Sequence, residues 1–86
     1  MMNKVFSPIG WTHYQHWVRE DRKIVKKINA LLEDIERNGN EGTGKPEPLK
    51  NELSGFWSRR ITEEHRLIYS SDDDNIFIVA CRGHYR

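Results

Sequence analysis

Apolar and polar positions follow two rhythms along this chain of 86 residues, a helical one in the first half and a strand-like one in the second. The clearest stretch runs through Ile24, Val25, Ile28, Leu31, Leu32 and Ile35. These positions fall on one face of a helix, and such a face must be buried. Asp21 precedes it as a candidate N-cap. Asn38-Gly39 ends it, because Gly adopts the left-handed conformation that closes helices. A second helix is predicted upstream, starting at Ser7-Pro8. The Ser oxygen can cap unpaired N–H groups, and Pro fits the first helical position, where no N–H is needed. This helix runs to about Arg19 with Trp11, Tyr14, Trp17 and Val18 on one stripe. The turn at Glu20-Asp21 is short, so the two helices are expected to form an antiparallel hairpin. Ahead of them, Lys4-Val5-Phe6-Ser7 reads as an edge strand.

The second half changes period. Residues 39–48 hold three Gly and two Pro and read as a loop. Strand-like stretches follow at Gly55–Thr62, His65–Ser71 and Asn75–Arg82, separated by Glu63-Glu64 and by Asp72-Asp73-Asp74. Connections this short and polar favour antiparallel hairpins. Ile76-Phe77-Ile78-Val79-Ala80 is apolar on both faces and is expected in the middle of the sheet. The order strand, helix, helix, three-strand meander predicts an α+β fold, with a helical hairpin on one face of a mainly antiparallel sheet.

Size and composition bound this picture. A chain of 86 residues is one domain, 1–86, and buries only about 60% of its extended surface. Charged residues make up 31% of it, yet nine aromatics supply large core pieces and argue against disorder. The single Cys81 excludes an intrachain disulfide and a Cys-rich zinc site, which fits a reducing cytoplasm. No apolar run is long enough for a membrane span, and no signal-peptide pattern is visible. Fourteen basic side chains face thirteen acidic ones, evenly distributed along the chain. Bulk charge therefore neither favours nor excludes a nucleic-acid partner; local arrangement must decide.

Two segments could carry chemistry. In Lys45-Pro46-Glu47-Pro48-Leu49-Lys50 a carboxylate is held on a Pro-stiffened backbone with a lysine to either side. Read alone, this is most simply a stiff loop with an exposed Glu. Cys81-Arg82-Gly83-His84-Tyr85-Arg86 leaves a strand with His84, whose side chain can carry a proton near neutral pH; a frayed tail is the competing reading. Arg59 and Arg60 must face opposite sides of a strand, as must His65 and Arg66. Arg suits phosphate, though a solvated sheet face is the simpler reading of any one of them. His13 and His16 are most simply a solvated helix face, and Trp11, Tyr14 and Trp17 core. Lys23, Lys26 and Lys27 read as the wet side of the second helix, and no phosphate-binding, zinc-protease or nucleophile-elbow motif is present.

The chain nevertheless closely resembles the YoeB/Txe toxins of the RelE-like superfamily of bacterial toxin–antitoxin systems. The resemblance runs through Arg22–Asn29, Gly44–Lys50, Leu53–Leu67 and Ala80–Tyr85, nearly the whole chain. It implies a RelE-like, microbial-RNase-like fold and a ribosome-dependent mRNA endoribonuclease that cuts in the ribosomal A site. No metal or cofactor is implied. By motif, the family's catalytic residues fall on Glu47, Arg66 and His84, and RNA contacts on Lys45, Lys50 and Tyr85; Arg60 is expected as a further RNA contact. The implied partners are a YefM-type antitoxin, the ribosome with its mRNA, a possible second copy of the chain, and operator DNA only through the antitoxin complex; no membrane is involved. Arg86 departs from the family ending. A catalytically idle antitoxin-binding module acting as transcriptional co-repressor is the alternative. A helix-turn-helix DNA binder is a third reading, disfavoured because the Ile/Leu stripe of the second helix must be buried.

Overall fold

The computed structural model describes residues 1–84. The order of elements is β1 (Asn3–Phe6), α1 (Pro8–Glu20), α2 (Arg22–Asn38), β2 (Glu47–Pro48), a 3-10 turn (Asn51–Leu53), β3 (Trp57–Arg60), β4 (Arg66–Ser71) and β5 (Asn75–Ala80). Both helices begin where local chemistry places them. Ser7 Oγ accepts from the Gly10 N–H at 2.9 Å, with Pro8 in the first turn, and Asp21 accepts from the Lys23 N–H at 3.0 Å. Gly39, at φ +65°, closes α2 by donating its N–H to the Ile35 carbonyl.

The five strands form one sheet in the order β1-β5-β4-β3-β2. Only β1 pairs in parallel, with β5; the other three pairings are antiparallel. β1 is an edge strand, and β5 lies inside the sheet between β1 and β4. The expected α+β architecture is therefore observed. The core lies between the helices and one sheet face. Ile24, Ile28, Leu31, Leu32 and Ile35 of α2 pack in one cluster with Leu67 and Tyr69 of β4 and Ile76 and Ile78 of β5. Burial of each such aliphatic side chain is worth roughly 1.5–3 kcal/mol.

Two expectations need correction. The stripe on α1 is rotated. Trp17 is buried, but Trp11 is 50% exposed and Val18 is also exposed. The contact face is centred on Gly10 and Trp17 instead, because α1 runs so close to β5 that a Cβ on Gly10 would lie 2.5 Å from the Ile78 carbonyl oxygen. Trp11, one position round the helix, packs against Phe6 and Tyr14 at the surface. The second correction lies in residues 39–48. This segment is not all loop, since Glu47 and Pro48 form the edge strand β2, with Glu47 opposite Ser58 and Pro48 opposite Trp57. An edge position tolerates Pro because one row of its backbone groups is unpaired anyway.

Candidate active site

Strand alternation decides which side chains can meet. In β3, Trp57 and Arg59 face the helices, while Ser58 and Arg60 face the other way. The register places Arg60 beside Arg66 of β4 and Glu47 of β2 beside Ser58. One sheet face therefore carries Glu47, Ser58, Arg60 and Arg66 side by side. A cavity of about 380 Å³ opens on this face, and its walls include Lys45, Glu47, Lys50, Ser58, Arg60, Arg66 and His84. Pro48, Leu49, Asn51 and Leu53 complete them. Six of the seven candidate site residues thus line one cavity. The seventh, Tyr85, lies outside the described residues, as does Arg86.

The backbone around the cavity is shaped for it. Lys45 (φ +51°) and Asn51 (φ +59°) are the non-glycine residues with positive φ among those described, and both line the cavity. Such conformations cost on the order of 1–3 kcal/mol and persist only where surrounding structure imposes them. Gly44, just before Lys45, is held in place. Its carbonyl accepts the Arg60 N–H at 2.6 Å, and a Cβ on it would lie 2.9 Å from Leu31 Cδ2. The chain is pressed against β3, and the Pro-rich segment leaves from that anchor.

Arg66 is the most constrained cation of the site. It is 9% exposed, and its Nη1 donates to the carbonyls of Thr62 (2.7 Å), Glu63 (3.0 Å) and His65 (3.2 Å). Its Nε and Nη2 have no protein partner among the described residues. The guanidinium is thus fixed through one nitrogen and keeps donors available at the cavity wall, an arrangement suited to an anion. Arg60 is more exposed and lies 3.8 Å from Glu63. Lys45, Glu47, Lys50 and His84 are exposed. Four cations against one carboxylate make the cavity locally positive although the whole chain carries only +1.

His84 reaches the cavity because the segment bearing it is tied down. Trp17 Nε1 donates to the Cys81 carbonyl at 2.9 Å, and the Cys81 N–H donates to His13 Nδ1 at 3.1 Å. The Arg66 N–H donates to the Gly83 carbonyl at 2.9 Å, and the Gly83 N–H donates to His65 Nδ1 at 2.9 Å. The bonds at Gly83 overturn the frayed-tail reading for residues 81–84. His13 also differs from expectation: it is a half-buried acceptor rather than a solvated side chain, and burial, then the charges of Arg82 and His16, push its pKa below the ordinary 6.5. Neither His13 nor His65 is singled out by any sequence motif, since both act on a segment more than fifteen residues away.

Arg59 departs furthest from the reading of a solvated arginine. It is fully buried on the helix side. Its Nη1 bonds Asp34 Oδ2 at 2.5 Å and the Thr43 carbonyl, its Nη2 bonds the Gly39 and Glu41 carbonyls, and its Nε bonds the Tyr69 hydroxyl. It ties the 39–44 segment to the core. Arg59 and Arg60 do occupy opposite faces, and only Arg60 lines the cavity.

Among the described residues no three His, Cys, Asp or Glu side chains come together as metal ligands, and no helix is long and apolar enough to cross a membrane. Comparison with known proteins agrees with fold and motif. Residues 6–85 match the family model described as YoeB-like toxin of bacterial type II toxin-antitoxin system. The chain is 57% identical to Toxin YoeB of Escherichia coli K12 over 84 residues, covering 98% of this chain and all of that one. It is 52% identical to Toxin YoeB of Streptomyces coelicolor, covering 98% of this chain and 100% of that one. Among solved structures, the YoeB/ParE toxin from Agrobacterium tumefaciens superposes with a TM-score of 0.93 at 42% identity, over 98% of this chain and 100% of that one. YoeB in a YoeB–YefM complex from Staphylococcus aureus superposes with 0.92 at 50%, over 99% of each chain. With its sheet, its helical hairpin and its motif intact over this length, the chain belongs to the YoeB-like toxins of bacterial type II toxin–antitoxin systems.

Proposed function

We propose that this toxin is a ribosome-dependent endoribonuclease that stops translation by cutting mRNA in the ribosomal A site. The observation that carries this reading is the single cavity walled by a carboxylate, an imidazole and a pinned guanidinium, with Lys45, Lys50 and Arg60 around them. Those are the groups that cleavage of RNA by its own 2′-hydroxyl requires. Glu47 takes the 2′ proton as the 2′ oxygen attacks the adjacent phosphorus. Arg66 binds the phosphate oxygens, where negative charge builds up. His84, protonated, gives its proton to the 5′ oxygen as the P–O5′ bond breaks. The products are a 2′,3′-cyclic phosphate and a 5′-hydroxyl. Each positioned proton transfer contributes about 10²–10⁴-fold, and the charge-stabilising donor about 10²–10³-fold. Tyr85 is assigned an RNA contact by the family motif alone. The net charge of +1 is small for an RNA enzyme, so the ribosome is assigned much of the binding.

The relative from Staphylococcus aureus has been solved with YefM and as a dimer. We extend both to this chain: a YefM-type antitoxin neutralises it, a second copy can pair with it, and operator DNA is reached only through the antitoxin complex. Mapping mRNA 5′ ends in a translating mixture tests the enzymatic reading. The intact chain should create new ends only when ribosomes are present, and the Glu47→Ala, His84→Ala double variant should not. A folded, antitoxin-free chain that leaves mRNA ends unchanged would transfer the role to antitoxin binding and co-repression. Equal cleavage at a 2′-deoxy sugar would exclude the 2′-hydroxyl mechanism.

A further inference from the structure

We propose that His65 is a positioning residue for His84, holding it at the cavity through a neutral imidazole whose Nδ1 accepts the Gly83 N–H. The geometry has three parts. First, the residue just before His84 is gripped on both its polar backbone groups: the Gly83 N–H by His65 and its carbonyl by the Arg66 N–H, each at 2.9 Å. His65 and Arg66 are consecutive, so one dipeptide fixes the phosphate-facing guanidinium and the place of the acid together. Second, Gly83 lies at φ +90°, a conformation that other residues adopt only under strain, so the chain turns there, and the next residue, His84, lines the cavity. Third, the His65 ring is locked. It packs edge-on against Trp17 with centroids 4.7 Å apart, and Trp17 itself holds the Cys81 carbonyl. His13 repeats the device upstream by accepting the Cys81 N–H.

An imidazole nitrogen accepts only while it carries no proton. Protonation therefore turns His65 from a holder of Gly83 into a repeller of it. Glu64 Oε1 lies 3.9 Å from His65 Nε2 in the β3–β4 turn, and Arg66 follows in sequence. The Arg82 guanidinium stands 5.9 Å over the Trp17 ring, and His16 packs on the same ring from α1. Arg82 also faces His13. The catalytic consequence rests on the nuclease reading above; the placement of His84 does not.

Two variants of the full chain separate an acceptor from a space-filler. His65→Phe keeps a ring against Trp17 and removes the acceptor, whereas His65→Asn sets an oxygen near the place of Nδ1. Amide hydrogen exchange at Gly83 and the ring resonances of His84 report placement, and the Leu67 amide in buried β4 reports folding. In His65→Phe, Gly83 exchange should accelerate about tenfold, the equivalent of one ordinary hydrogen bond, and the His84 resonances should move. In His65→Asn the Gly83 exchange should stay within about threefold of the parent and the His84 resonances should keep their positions. If the nuclease reading holds, His65→Phe should also lower the single-turnover cleavage rate about 10²-fold without weakening RNA binding. Gly83 protection unchanged in His65→Phe, or His65→Asn as labile as His65→Phe with Leu67 still protected, overturns the proposal. Should Leu67 lose protection as well, the parent chain decides. Its Gly83 exchange, corrected for the intrinsic pH dependence, should rise as the His65 ring resonance titrates, and a flat profile overturns the proposal. An inactive parent chain with the exchange results as expected would retire the nuclease reading and leave the positioning role standing.

Discussion

Two arginines on neighbouring strands of the sheet, Arg59 and Arg66, are buried alike and used differently. Arg59 faces the helices, and each of its three nitrogens is bonded, to Asp34, to Tyr69 and to the carbonyls of residues 39, 41 and 43. Arg66 faces the opposite side and, among the described residues, bonds protein acceptors through Nη1 alone. The first arrangement leaves nothing for a ligand and makes the residue part of the core. The second fixes a cation and keeps donors in reserve, which is what a phosphate site needs. Residue type does not distinguish them; the count of satisfied donors does. The helix side of the sheet is therefore where stability is expected to reside, and the cavity side where activity is.

The largest expected effects test the cavity side. Glu47→Gln and His84→Gln should each lower mRNA cleavage about 10²–10⁴-fold in a reconstituted translation mixture. Both side chains are exposed, so their melting temperatures should stay within about 3 °C of the parent. A fall in stability as large as the fall in activity would place these residues in the scaffold and break the comparison. Next comes Arg66→Ala, with a loss of about 10²–10³-fold in cleavage, read as kcat at saturating ribosomes. It should also cost some stability, because three carbonyls lose their donor. Arg59→Ala should reverse the balance. It opens a cavity in the core and strands the loop carbonyls, at about 3 kcal/mol or more. In an 86-residue chain that is a fall in melting temperature of more than about 10 °C by calorimetry.

The sequence made one of these two regions far more legible than the other. Periodicity in α2, the caps at Ser7 and Asp21 and the short polar turns between strands are local signals, and each led to the observed element. Alternation alone separated Arg59 from Arg60. The cavity residues were legible only through the family motif, since nothing local joins Glu47, Arg66 and His84. What stayed hidden depends on distant partners. Arg59 looked solvated because its acceptors, three loop carbonyls, Asp34 and the Tyr69 hydroxyl, lie 10 to 25 positions away. Trp11 looked like core because the close approach of Gly10 to β5, which sets the rotation of α1, leaves no apolar trace. β2 looked like loop because two residues with a Pro carry no strand pattern.

The smallest expected effect sharpens the helix side of the comparison through pH. Asp34 is the only acidic partner of Arg59 among the described residues, and its carboxyl is held well below the usual carboxylate pKa. The Arg59 guanidinium is the largest cause, helped by the Thr43 N–H and the Asn38 amide, and the pKa of Asp34 falls from 3.8 to about 2. Between those values the unfolded chain binds a proton that the folded chain does not. Stability conferred by the pair is thus full above about pH 4 and is lost as pH falls toward 2. Glu36 and Asp72 are lowered as well, mainly by backbone N–H groups of Met2 and of Asp74, so the acid limb has more than one source. Asp34→Asn isolates the share that belongs to the Arg59 network. It keeps an acceptor but has no proton to gain, so its urea midpoint should fall less steeply between pH 4 and 2 than that of the parent. Parallel limbs for the two proteins would assign the acid loss to Glu36 and Asp72, and Arg59 would then be held by its neutral carbonyls alone. A flatter limb in Asp34→Asn would show that the buried arginine is neutralised as well as saturated, the state that sets it apart from Arg66.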